Sequence, residues 1–184
     1  LDGVTFGRNG KGTIYLFATG NDNTFLSSQS INPNVIAVGG VSPCNQRKSP
    51  LSCDGENFWG ANYGTGLSVV APCVKVYTTD ITGSGGWSNT NYLDNFNGTS
   101  GAAPNVAGIC ALMLSVDSTL SWMKVREFLC RSADKVGSYS YNFTGPYTNL
   151  GQTWNNEMGY GKVNANTSLK YTIASIGFTF NHTP

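Results

Sequence analysis

No stretch constrains the fold of this chain more than residues 99–114, "TSGAAPNVAGICALML". Ala103, Val106, Ala107, Cys110, Ala111 and Leu114 recur at steps of three and four, which predicts a helix. Ile109, Leu112 and Met113 fill its other faces, and a helix apolar all round has to be buried, with neighbours on every side. The small residues at 101–103 and 107–108 let those neighbours approach closely. Pro104 is tolerated because it falls in the first turn, where N–H groups have no intrahelical partner.

The runs upstream supply what such a helix packs against. "TIYLFAT", 13–19, ends in Gly20-Asn21 and reads as a strand buried on both faces, the kind found in parallel sheets. "NVIAVGGVS", 34–42, is a second such run, stopped by Pro43. "GLSVVAPCVKVYTT", 66–79, is a third, and Pro72 within it predicts a bulge or two short pieces. Gly/Asn/Ser-rich loops separate them, and 80–98 is long and polar, as functional loops often are. Downstream, a helix is expected over about 120–135, capped by Ser118 or Thr119, with Val125, Phe128 and Leu129 facing inward. After a polar, aromatic loop at 137–157 a final helix begins near Asn164. The pattern is α/β, with residues 1–175 as one unit and 176–184 as a tail or the start of a following segment.

Composition narrows the function. Net charge is +1 with no basic run, which speaks against a nucleic-acid or anionic-membrane partner. No run is read as an apolar membrane span. Cys44 and Cys53 flank a polar loop, and a local disulfide there suits a secreted protein. Cys110 and Cys130 read as buried thiols. One His and no C-x-x-C pair argue against zinc. The four Asn-x-Ser/Thr sequons are what chance supplies from 20 Asn and 36 Ser plus Thr in 184 residues.

Ser100 stands at the start of the apolar helix, where free N–H groups and the helix dipole favour developing negative charge. Gly98 and Gly101 leave room for a substrate backbone. The plainer alternative is that Ser100 merely caps a core helix. Asn21 ends the first strand, where ligands bind in open α/β sheets, and its amide can donate to an oxyanion. Its plainer reading is a left-handed turn residue.

Together these stretches resemble the subtilisin-like serine proteases (subtilases, peptidase family S8). "NGTSGAAPNVAG" is similar to the family's nucleophile motif, and "ATGN" to its oxyanion-asparagine motif. "VIAVGGV", "NYGTGLSVVAPCVKVYTT" and "GYGKVNA" follow in the family's order, and the whole looks most like secreted bacterial members. The resemblance implies a three-layer fold with a mostly parallel central sheet and a buried central helix. It implies a serine endopeptidase acting on protein or peptide substrates through an acyl-enzyme at Ser100, with Asn21 completing the oxyanion hole. Ala18, Thr19 and Gly20 would line one wall of the pocket for the substrate side chain before the scissile bond. Asp22 nearby reads as a solvated carboxylate, and Gly101 replaces the Met often found after the nucleophile. No cofactor is identified in the chain; calcium is implied only by the resemblance.

The departure is severe. The family's Asp and His motifs, which supply the general base and its orienter, are absent, and His182 in the tail is the only histidine. The Ser-x-Gly-Gly substrate-pairing strand is absent too. The expectation is therefore a C-terminal half of a catalytic domain, inactive and poorly folded alone, completed by an N-terminal half that supplies Asp and His. That half is also a candidate source of a partner for Cys73. The alternative is an inactive extracellular structural or binding protein on the same scaffold.

Overall fold

The computed structural model describes residues 2–147 and 150–178, so His182 lies outside the described residues. Three strands, β1 (Leu16–Ala18), β2 (Ile36–Val41) and β3 (Leu67–Pro72), form a parallel sheet in the order β1-β2-β3. Leu16 pairs with Ile36, Ala18 with Val38, and Val41 with Pro72. β2 is buried along its whole length and β3 up to Ala71, as expected of unalternating apolar strands covered on both faces. β1 differs from expectation. It is only three residues long and half-exposed, because among the described residues it is the edge of this sheet, with a neighbour strand on one side.

Pro72 ends β3, and Lys75, at φ 51°, turns the chain into β4 (Val76–Thr79). The long polar loop is not featureless, since its end forms β5 (Tyr92–Phe96), antiparallel to β4. Asp80 closes the hairpin, its carboxylate accepting from the N–H groups of Ile81 (2.8 Å) and Ser88 (2.7 Å). Those bonds hold its pKa below the usual carboxylate range.

A helical segment, α1 (Asp2–Gly10), which the sequence did not suggest, is broken at Gly7–Asn9. The long helix α2 (Thr99–Val116) packs on the sheet and on α4 (Ala165–Ser175). Its buried side carries Ala102, Val106, Ile109, Cys110 and Met113. The expected enclosure is incomplete. Ala107, Ala111, Leu112 (49% exposed) and Val116 (37%) face outward, because no described residue covers that side. With 18 residues at a mean hydropathy of 1.3, α2 is also long and apolar enough by length and composition to cross a membrane, which the sequence reading had not granted.

α3 spans Trp122–Ser132 and places Val125, Phe128 and Leu129 inside, as expected. Its cap is Ser121, accepting from Lys124 N–H at 3.2 Å, rather than Ser118 or Thr119. Asn164 caps α4 through Thr167 N–H at 2.9 Å. Between them, β6 (Phe143–Thr144) and β7 (Thr153–Trp154) make a small hairpin. The "GYGKV" segment then fastens onto β3 through Tyr160 N–H to Ser68 O (2.8 Å) and Val163 N–H to Val70 O (3.0 Å).

Candidate active site

The site lies where β1 ends and α2 begins. Gly20 (φ 98°) turns the chain at the carboxyl end of β1, and Gly98 (φ 102°) turns it into the helix. A Cβ on Gly98 would stand 3.1 Å from Asn21 Nδ2, so a larger residue there would press on the amide as well as strain the backbone. Asn21 Oδ1 accepts from Thr99 N–H at 2.9 Å and from Thr99 Oγ1 at 3.0 Å, across a separation of 78 residues. Thr99 Oγ1 in turn accepts from Gly20 N–H at 3.2 Å. Because the Thr99 N–H can only donate, the amide atom facing it is the oxygen. Nδ2 is thereby left as a donor beside Gly98, the residue before the nucleophile motif's Thr-Ser.

The two plainer readings fail on this geometry. The helix cap is Gly98, and Ser100 sits inside the first turn, exposed, and makes no cap bond. Asn21 has no positive φ; the left-handed residue nearby is Asn23. Thr99 N–H is taken by Asn21 and Gly101 N–H by Gly98 O (2.9 Å), leaving Ser100 N–H without a partner among the described residues. Two donors, one side-chain and one backbone, thus stand at the same helix end. Thr99 was missed in the sequence, although it is fully buried and carries the clamp. Its place within the Gly-Thr-Ser triplet was the available signal.

Two cavities flank this end of the helix. One, about 700 Å³, contains Ser100 and is bordered by Asp80, Trp87, Leu93, Phe96 and Asn97. The other, about 240 Å³, holds all three expected pocket residues, Ala18, Thr19 and Gly20, together with Asp22. Thr19 Oγ1 is buried there with no hydrogen-bond partner among the described residues. Asp22 is exposed and tied to Asn62, whose Nδ2 donates to its carboxylate at 3.2 Å.

Cys44 and Cys53 are disulfide-bonded, as the spacing predicted. Cys73, Cys110 and Cys130 are buried free thiols, and burial pushes each up to about 12. Cys73 is fully enclosed, and its thiol donates to Val41 O at 3.5 Å. No cluster of three or more His, Cys, Asp or Glu that could hold a metal occurs among the described residues.

A three-stranded parallel sheet, with the amide of Asn21 just beyond the end of its first strand bonded to the start of the helix that bears Ser100, defines an α/β protein. The sequence profile of the subtilase family matches residues 1–161, and the chain belongs to that family. It is 33% identical over 185 residues to a calcium-dependent protease of Trichormus variabilis, covering 92% of this chain and 26% of that protein. It is 35% identical over 135 residues to subtilisin DY of Bacillus licheniformis, covering 71% of this chain and 43% of that one. The crystal structure of a serine protease of Aeromonas sobria superposes with a TM-score of 0.66 at 19% identity, over 95% of this chain and 38% of that one. The chain therefore spans about a quarter of the calcium-dependent protease's length and under half of the subtilisin's.

Proposed function

We propose that this chain carries the nucleophile and oxyanion-hole portion of a subtilisin-type serine endopeptidase. Ser100 Oγ attacks a peptide carbonyl, and the carbonyl oxygen, now an oxyanion, receives Asn21 Nδ2–H and Ser100 N–H. The general base takes the Ser100 proton and passes it to the departing amine as the C–N bond breaks and the acyl-enzyme forms. Water, giving a proton to the same base, then attacks the ester, and the proton returns to Ser100 Oγ as the acid is released. The observation that carries this reading is the Thr99 clamp on Asn21 Oδ1, which turns the amide nitrogen into a free donor at the helix end that bears Ser100.

The general base and the carboxylate that orients it come, in this reading, from a portion of the protein N-terminal to these residues. Two facts support that. An apolar side of α2, at Ala107, Ala111, Leu112 and Val116, is left uncovered by the described residues, and the chain spans a minority of its relatives' length. The substrate is a protein or peptide, with the side chain before the scissile bond directed toward Ala18, Thr19 and Gly20. Secretion is supported by the Cys44–Cys53 disulfide, which persists in oxidising compartments. Among the described residues no cluster of three His, Cys, Asp or Glu marks a metal site, so no step is routed through calcium, the ion named for the Trichormus relative.

A fluorophosphonate probe tests the assignment on the natural protein. Labelling at Ser100, abolished in Ser100→Ala, is expected. No labelling in a preparation that contains the N-terminal portion would favour an inactive scaffold.

A further inference from the structure

Behind the nucleophile turn lies a polar network that the reaction does not explain. Lys48 is completely buried, and its ammonium meets Asp54 Oδ1 at 3.0 Å with the Asp54 side chain 1% exposed. Burial alone would raise the Asp54 carboxyl, but the Ser52 hydroxyl, the Lys48 ammonium and the Glu56 N–H together hold it below its ordinary value. A buried pair of this kind adds little net stability over apolar packing, so its effect lies in the geometry it fixes.

What it fixes is Glu56. The Glu56 N–H donates to Asp54 Oδ1 at 3.0 Å, and its carbonyl accepts from Lys48 Nζ. The disulfide between Cys44 and Cys53 closes the loop that carries Lys48, and Trp59 stacks over the ammonium at 4.9 Å. The Glu56 carboxylate then spans two donors: Trp59 Nε1 at 2.7 Å on Oε2, and Asn97 Nδ2 at 2.9 Å on Oε1. Asn97 Oδ1 is held from its other side by Lys75 N–H at 2.7 Å. Asn97 immediately precedes the Gly98 turn, borders the same cavity as Ser100, and leads into Thr99, the residue that clamps Asn21.

We propose that Glu56 is a positioning residue for catalysis: through Asn97 it sets the aim of the turn that presents Ser100 and Thr99. The proposal rests on the reading of Ser100 as nucleophile. Without the carboxylate, the Asn97 amide is held at its Lys75 end alone, and the turn can rotate about Gly98. A small displacement at a reacting centre lowers reactivity far more than it lowers binding.

The test uses the full-length natural protein, with the fluorophosphonate labelling rate of Ser100 and steady-state kinetics as readouts. Unlabelled wild-type protein would overturn the protease reading and this proposal together. If wild type labels, Glu56→Ala is expected to lower the labelling rate and kcat about ten- to a hundredfold with KM within about twofold. Asn97→Ala should match it, and the double variant should lose no more than either single one. Trp59→Phe, which removes the other donor but leaves the Asn97 contact, should keep the labelling rate within about threefold. Should Glu56→Ala fail to fold, Glu56→Gln serves, because its single carbonyl oxygen satisfies only one of the two donors, and a several-fold slower labelling is expected. Rates at wild-type level in the folded Glu56 variant, fully additive losses for Glu56 and Asn97, or an equal loss in Trp59→Phe would each overturn the proposal while leaving Ser100 as nucleophile.

Discussion

The structural hold of Asn21 on Thr99 and its proposed role as oxyanion donor can be separated by comparing Asn21→Ala with Thr99→Val. Asn21→Ala removes Oδ1, the acceptor for a fully buried Thr99 N–H, and Nδ2, the proposed oxyanion donor. The orphaned N–H costs about 1–3 kcal/mol of stability, since the backbone has no other acceptor to turn to. The lost donor costs about 10²–10³ in kcat, a range that derives from a subtilisin and is carried over here. Thr99→Val removes the 3.0 Å hydroxyl bond to Oδ1 and strips Gly20 N–H of its acceptor, so it destabilises by a similar ~1–3 kcal/mol. The 2.9 Å bond from Thr99 N–H survives, however, and still aims Nδ2. Its kcat should therefore fall by no more than about tenfold, the effect of one neutral hydrogen bond. The assay is initial-rate hydrolysis of a chromogenic peptide amide by the full-length protein, normalised by active-site titration, beside a thermal melt of each variant. Similar losses in Tm with at least a tenfold gap in kcat are expected. Equal kcat in the two variants, or Asn21→Ala within twofold of wild type, would refute the oxyanion assignment.

Other expectations follow from the same geometry. Replacing Cys44 and Cys53 by Ser should cost about 2.6 kcal/mol, from the loop entropy of a nine-residue separation, read as a lower midpoint in urea; an unchanged midpoint would contradict this. Cys73, Cys110 and Cys130, pushed up to about 12, hold about one thiolate in 10⁴ molecules at pH 8, so iodoacetamide should modify them only after unfolding. Their folded pKa values are raised above the ordinary 9.0, so the unfolded state releases protons first, and stability present below pH 9 should be lost as pH rises from 9 toward 12; an alkaline-insensitive midpoint across that window would count against it. Gly98→Ala should strain the turn by about 1–3 kcal/mol and lower kcat, because its Cβ meets Asn21 Nδ2 at 3.1 Å; wild-type kcat would show that the turn tolerates displacement. Expressed alone, residues 1–184 should melt without a cooperative transition because one apolar side of α2 is open; a sharp calorimetric transition would contradict this.

Features set by local chemistry were legible in the sequence. The three- and four-residue spacing of Ala103, Val106, Cys110 and Leu114 gives α2, and Pro72 divides the third apolar run into β3 and β4. The nine-residue spacing of Cys44 and Cys53 foretold their bond. Ser100 and Asn21 were candidates in the sequence, from a helix start, a strand end and the family resemblance, and the structure brings Asn21 to the helix end that bears Ser100. The cap of α3 was misplaced by a few residues, since Ser118, Thr119 and Ser121 all satisfy the same local rule and packing selected Ser121.

Tertiary structure alone decided the rest. Which atom of the Asn21 amide is free depends on a Thr99 N–H 78 residues away. The hold of Glu56 on Asn97 spans 41 residues, and the pairing of Lys48 with Asp54 matters only because both are sealed from water. Sequence patterns record the periodicity and polarity of neighbours along the chain. Hydrogen-bond direction and desolvation are set by the neighbours that folding brings together in space.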